Sequence, residues 1–167
     1  DDMPCMDDSP MRHGRASVHV AFDQATALLA GNSLLTMAFE HLMAQPFEDH
    51  TKVQLMTQLC DASGPQGMMG GQQLDMMQGS LVPLDEITRM QSLKTGCLLE
   101  FSCVAPALVA HANGQQLQTL KAFAHKLGLA YQITDDLLDL YGEQAVVGKP
   151  LRVDGDNSKA TFVSVLG

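Results

Sequence analysis

Two groups of aspartates dominate the chemistry available to this chain: Asp1, Asp2, Asp7 and Asp8 in the opening run DDMPCMDD, and Asp135, Asp136 and Asp139 in the later run DDLLD. Carboxylates repel one another, so two such groups within otherwise apolar, helix-patterned sequence require a neutralising partner. Hard divalent cations serve best. Mg2+ in particular takes a few carboxylates, keeps some waters and leaves positions open for substrate phosphates, so the pattern points to metal-bridged diphosphate chemistry. Asp135 and Asp139 stand one helical turn apart and would project from one face, a spacing of like charges that destabilises a helix without a counterion. The competing reading, a solvated acidic face, sits badly with the apolar neighbours Ile133, Leu137, Leu138 and Leu140. In the first group Pro4 lies between Asp2 and Asp7. Proline removes a helical hydrogen bond and bends the chain, so these carboxylates are expected to converge around a bulge; alone they could equally be a frayed acidic terminus.

Fixed cations follow both groups. Arg12, His13, Gly14 and Arg15 come after the first, Lys94-Thr95-Gly96 lies between the two, and Lys149 and Lys159 flank a polar stretch after the second. Each alone is an ordinary surface charge. Set against two metal-binding carboxylate faces, they are what a diphosphate needs, with Arg gripping phosphate in a planar fork and Lys acting as a point charge. His19, His41, His111 and His125 have no ligand spacing and read as structural or exposed.

The elements that must position these groups are helical. Apolar residues recur at helical spacing from Val20 to Met43, which predicts a buried helix. A second helix is expected from Thr51 to about Ala62, stopped by Ser63-Gly64-Pro65. Paired glycines in Met68-Met69-Gly70-Gly71 would let backbone or ligand approach closely. Pro83-Leu84-Asp85 reads as the start of a helix reaching about Ala110, Asn113-Gly114 as a break, and Gln116 to Tyr141 as the most regular helix. Alternating strand patterns are absent, so the class is all-α.

The chain has 167 residues, enough for one domain with its own core, and carries no Trp and eleven Met, so Leu, Ala and Met must fill that core. A net charge of -9 with no basic run excludes a general nucleic-acid binder. Cys5, Cys60, Cys97 and Cys103 form neither a CxxC pair nor a dense framework, which fits reduced thiols in a cytoplasmic protein and argues against a zinc site. No apolar run is expected to span a membrane, and no signal peptide is expected. A chain that opens on Asp1 without an initiator methionine is expected to be a fragment.

The runs DDMPCMDDSPMRHG, GMMGGQQLD, KTG, YQITDDLLD and GKPLRVDGDNSKATF, in this order, resemble a trans-isoprenyl diphosphate synthase of the farnesyl or geranylgeranyl type. The resemblance covers essentially the whole chain. It implies a single isoprenoid synthase domain over residues 1–167, a helical bundle around a central cavity with the two aspartate motifs facing each other across its mouth. Three Mg2+ ions would bridge those motifs to an allylic diphosphate. By position, Asp1, Asp2, Asp7, Asp135, Asp136 and Asp139 would hold metal; Arg12, Lys94, Thr95, Gln132, Lys149 and Lys159 would hold or orient the allylic diphosphate, supported by Gln72 and Asp75. The implied reaction joins dimethylallyl or geranyl diphosphate to isopentenyl diphosphate by ionisation, condensation and elimination. Catalysis would rest on Asp1, Asp2, Asp7, Lys94, Asp135 and Asp136 in a water-excluding site.

The resemblance also implies a homodimer when the protein is full length. His13 stands where the family usually has a second arginine gripping isopentenyl diphosphate, and imidazole is only partly charged near neutrality. The family's upstream Gly-Gly-Lys-Arg segment and its last helices have no counterpart here, so the chain alone is expected to be inactive. Two extra residues in the first motif, including Pro4 and Cys5, favour a short-chain product. A non-catalytic partner subunit of a heteromeric synthase is the alternative; intact aspartates argue against it and His13 leaves it open. A terpene cyclase would carry an Asn/Asp, Ser/Thr, Glu triad in place of Asp135, Asp136 and Asp139, and an unrelated helical interaction protein would need the motif order by chance.

Overall fold

A computed structural model describes residues 1–77, 82–142 and 161–166. These form eight helices and one minimal hairpin. After an opening turn, β1 (Met11–Arg12) pairs antiparallel with β2 (Arg15–Ala16). There follow α1 (Val18–Ala21), α2 (Gln24–Ala44), α3 (Asp49–Ser63), α4 (Met68–Met77), α5 (Leu84–Gln91), a π-helical turn (Ser92–Gly96), α6 (Cys97–Val109), α7 (Gly114–Tyr141) and α8 (Phe162–Leu166). The all-α expectation holds apart from the hairpin. Its turn places His13 and Gly14 at φ 51° and 73°, the left-handed region that two-residue hairpins of this hand require.

Local chemistry sets the helix ends. The single helix expected from Val20 to Met43 is divided at Phe22, because the Asp23 carboxylate accepts the Thr26 N–H at 2.7 Å and its hydroxyl at 3.1 Å and so starts α2 afresh. Before α7, Asn113 and Gln116 cap each other reciprocally at 3.0 and 2.9 Å. Thr51, Leu55, Leu59 and Ala62 bury one face of α3, which packs against α6.

At the centre, the π turn packs against α4 on one side and α7 on the other. Gly71 permits the first of these contacts: a Cβ there would overlap the Lys94 nitrogen and stand 2.7 Å from the Leu93 carbonyl carbon. The close approach expected of the paired glycines is thus backbone against backbone. Ile87 and Phe162 are buried together, with Val82, Leu129 and Ile133 against them, so α8 is fastened onto α5 and α7.

One expectation fails. α2 was expected to be buried, yet none of its residues is, and Leu28, Leu29, Leu34 and Met37 are all more than half exposed. Its apolar residues lie nearly all round the helix, whereas α1 and α3 cover only part of it. α5, the π turn and α6 run on as one 26-residue helix, Leu84–Val109, in which an 18-residue window reaches a mean hydropathy of 1.3, enough by length and composition alone for a span. Its middle nevertheless carries Lys94 in an ion pair with Asp75 on α4.

Candidate functional site

The first aspartate group is a closed turn. The Asp7 N–H donates to the Asp1 carbonyl at 3.0 Å, Asp8 to Met3 at 3.1 Å and Ser9 to Asp2 at 3.1 Å. The segment bearing Pro4 and Cys5 is the bulge around which Asp7 returns to Asp1. Gln72 of α4 reaches this turn, its amide 4.0 Å from the Met6 sulfur.

The hairpin then folds Arg12 back onto the turn. Arg12 Nη2 donates to Asp2 Oδ1 at 2.6 Å and to Asp1 Oδ1 at 3.4 Å, and Nε to Asp2 Oδ1 at 3.1 Å. The hydrogen bonds to Asp2 raise the pKa of the guanidinium above its ordinary value against the cost of burial, and the fields of Asp2, Asp135 and Asp7 act the same way. Arg12 thus contacts the first aspartate group and lies within the field of Asp135 from the second. Expected to hold a diphosphate, it here serves as counter-charge to the first group, because no other cation contacts Asp2 among the described residues.

On α7 the acidic face turns inward and the leucines outward. Asp136 and Asp139 are buried and Asp135 is half-buried, whereas Leu137, Leu138 and Leu140 are exposed. This inverts the usual partition of charged and apolar side chains. Burial pushes the Asp136 carboxyl above the usual carboxylate range. It does so against hydrogen bonds from the Phe162 N–H at 2.8 Å and the Gln132 amide at 3.5 Å, and the fields of Asp135 and Asp139 add to the rise.

The π turn aims neighbouring residues at different helices. Lys94 Nζ meets Asp75 Oδ2 of α4 at 2.9 Å, and Asp75 is buried. The Thr95 hydroxyl donates to Gln132 Oε1 of α7 at 3.2 Å, and Gln132 in turn reaches Asp136. Single π turns of this kind recur at functional sites.

The structure thus hydrogen-bonds Arg12 to Asp1 and Asp2 within the fields of Asp7 and Asp135, links Thr95, Gln132 and Asp136 in one chain, and pairs Lys94 with Asp75. His13 stays exposed at the hairpin tip. Lys149 and Lys159 lie outside the described residues. Among the described residues no three carboxylate, imidazole or thiol groups assemble into a cation site by themselves. The donor set still suits Mg2+: all are hard oxygens, the carboxylates near Arg12 outnumber its single charge, and Mg2+ is held by one or two carboxylates plus substrate phosphates. Sequence reasoning missed the Phe162 N–H on Asp136, a backbone group with no residue signature. It also set aside His19, which lies 3.8 Å from Asp8.

The sequence profile of the polyprenyl synthetase family matches residues 1–167. The chain is 38% identical over 170 residues to the farnesyl diphosphate synthase of Bacillus subtilis (strain 168), covering 99% of this chain and 57% of that protein. Among solved structures it is similar to the geranyltransferase of Helicobacter pylori complexed with magnesium and isoprenyl diphosphate, with a TM-score of 0.89 and 31% identity, covering 98% of this chain and 54% of that one. It is also similar to an FPP/GFPP synthase of Zymomonas mobilis in its apo structure, with a TM-score of 0.84 and 41% identity, covering 100% and 56%. The chain spans little more than half the length of the relatives it matches.

Proposed function

Because this chain belongs to the polyprenyl synthetase family, we propose that it carries the catalytic residues of a short-chain prenyltransferase. The reaction condenses dimethylallyl or geranyl diphosphate with isopentenyl diphosphate to farnesyl or geranylgeranyl diphosphate. The observation that carries the reading is Arg12, hydrogen-bonded to the first aspartate group and within the field of Asp135 from the second. One locus of several carboxylates and a fixed cation is what a metal-bound diphosphate needs.

In this reading Asp1, Asp2 and Asp7 of the turn and Asp135, Asp136 and Asp139 of α7 hold Mg2+, three ions in all by the family's pattern. Magnesium, when bound, neutralises charge on the departing diphosphate. The chain's own residues do the rest. Arg12 and Lys94 bind the allylic diphosphate, the first by a planar fork and the second as a point charge whose direction Asp75 fixes. Thr95 and Gln132 orient it, and Gln72 steadies the first turn. His13 faces isopentenyl diphosphate, and Lys149 and Lys159 contribute further cations. Fixed dipoles and charges of this sort act without reorganising as charge develops.

A homodimer is part of the proposal, supported by the exposed apolar length of α2. A cytoplasmic location is supported by four cysteines that are all free. The test is incubation of the natural-length protein with dimethylallyl or geranyl diphosphate, isopentenyl diphosphate and Mg2+, followed by chromatography of the products. Farnesyl or geranylgeranyl diphosphate is expected. Absence of any elongated product would overturn the proposal.

A further inference from the structure

Around the first aspartate turn one hydroxyl is placed against its usual role. Ser17 is the residue before α1, a position where serine normally caps the helix, yet its side chain makes no cap. Instead the Ser17 hydroxyl, buried at 3% exposure, reaches back to the Ser9 carbonyl at 2.7 Å, and its N–H donates to the Pro10 carbonyl at 3.0 Å. Ser9 is the residue whose own N–H closes the turn on Asp2. Ser17 therefore fastens the exit of the aspartate turn to the hairpin.

His19 completes the arrangement. Its Nδ1 lies 3.2 Å from the Ser17 oxygen. A hydroxyl has one proton, and the 2.7 Å bond to Ser9 uses it. Nδ1 must then be the donor, and Nε2 lies 3.8 Å from Asp8 Oδ1, beyond hydrogen-bond distance. Asp8 itself stands at φ 46°, a conformation sterically costly for a residue with a Cβ, and it directly follows Asp7. A side chain in that conformation persists when its surroundings hold it there.

We infer that Ser17 and His19 are positioning residues that set the first aspartate turn for binding of metal and diphosphate, Ser17 through Ser9 and His19 through Ser17. The inference rests on reading that turn as a metal–diphosphate site. Groups that orient ligating side chains in this way typically contribute about 10- to 100-fold in metal affinity.

The test uses the natural-length protein and inorganic pyrophosphate as probe. Pyrophosphate binding is followed by calorimetry over a Mg2+ series for Ser17→Ala, Ser17→Thr, His19→Ala and His19→Asn, with thermal unfolding recorded alongside. Threonine keeps the hydroxyl, and asparagine keeps an N–H near the Nδ1 position. Both alanine variants are expected to need about tenfold more Mg2+ for the same binding, both conservative variants to recover most of it, and all four to unfold near the parent temperature. Alanine variants that match the parent would overturn the inference. So would conservative variants that bind as poorly as the alanines while all unfold earlier, since that is the mark of a purely structural role. A parent that binds no pyrophosphate in Mg2+ would overturn the reading of the site itself, and this inference with it.

Discussion

Arg12 shows how a single residue exposes the logic of the site. Its fork is spent on Asp2 and Asp1, and the remaining carboxylates nearby leave the locus negative, a state that favours incoming cations. Asp135, half-buried and close enough to act on Arg12, is the residue of the second group best placed to share them. Asp135→Ala in the natural-length protein is expected to lower turnover about 100-fold or more while the circular dichroism spectrum and melting temperature stay near those of the parent. Near-normal turnover would remove Asp135 from the mechanism. Asp136 differs, because burial raises its pKa above the ordinary carboxylate value of 3.8. A raised folded-state value means that its contribution to stability is full below the ordinary value and is lost as pH climbs through the folded one. In chelator, Asp136→Asn should therefore gain in melting temperature relative to the parent between about pH 4 and pH 7; a difference that is flat or shrinks with pH would contradict this. Asparagine can still accept the Phe162 N–H, so packing should survive the change. As candidates, the aspartates, Arg12 and Lys94 could be picked out because charged groups at motif spacing stand out in otherwise apolar sequence, whereas Gln132 entered only through the family resemblance. Ser17 and His19 could not be picked out, since a serine before a helix reads as a cap and a lone histidine has no partner until the fold brings the Ser17 hydroxyl to it.

Among the elements, the π turn and α4 form the joint on which site geometry depends. Helix positions were largely readable: α3 and α7 lie within two residues of their expected bounds, because Gly64-Pro65 and Asn113-Gly114 punctuate the chain unambiguously. The hairpin was invisible, since strands of two residues carry no alternation. The π turn was equally invisible, because one extra residue per turn shifts the apolar period too little to show in so short a stretch. Its tight seat against Gly71 yields a sharp expectation. Gly71→Ala would force a Cβ into the Lys94 backbone and cost about 1–3 kcal/mol of stability. It should also move Lys94 away from Asp75, seen as a higher Michaelis constant for the allylic diphosphate. Unchanged stability would mean that α4 and the π turn can separate without loss, contrary to the close contact described.

For the molecule as a whole, the described residues expose more large apolar side chains than they bury, with α2 and the outer face of the α7 end the chief contributors. The sequence made plain that these helices want cover; it did not say from where, because periodicity records which face is apolar and not what lies upon it. Contiguous exposed apolar surface of this kind favours association. The 167 residues expressed by themselves should sediment as dimers or larger species, and a monomer at every concentration would contradict that. The central claim, that the two distant aspartate groups make one metal–diphosphate site, is tested most directly by calorimetry of pyrophosphate binding to the natural-length protein. It should be run with Mg2+ and with chelator, on the parent, Asp2→Ala and Asp135→Ala. Binding in the parent should require Mg2+, and each substitution, one from either group, should weaken it. Equal affinity in chelator, or a loss confined to one of the two variants, would contradict the account.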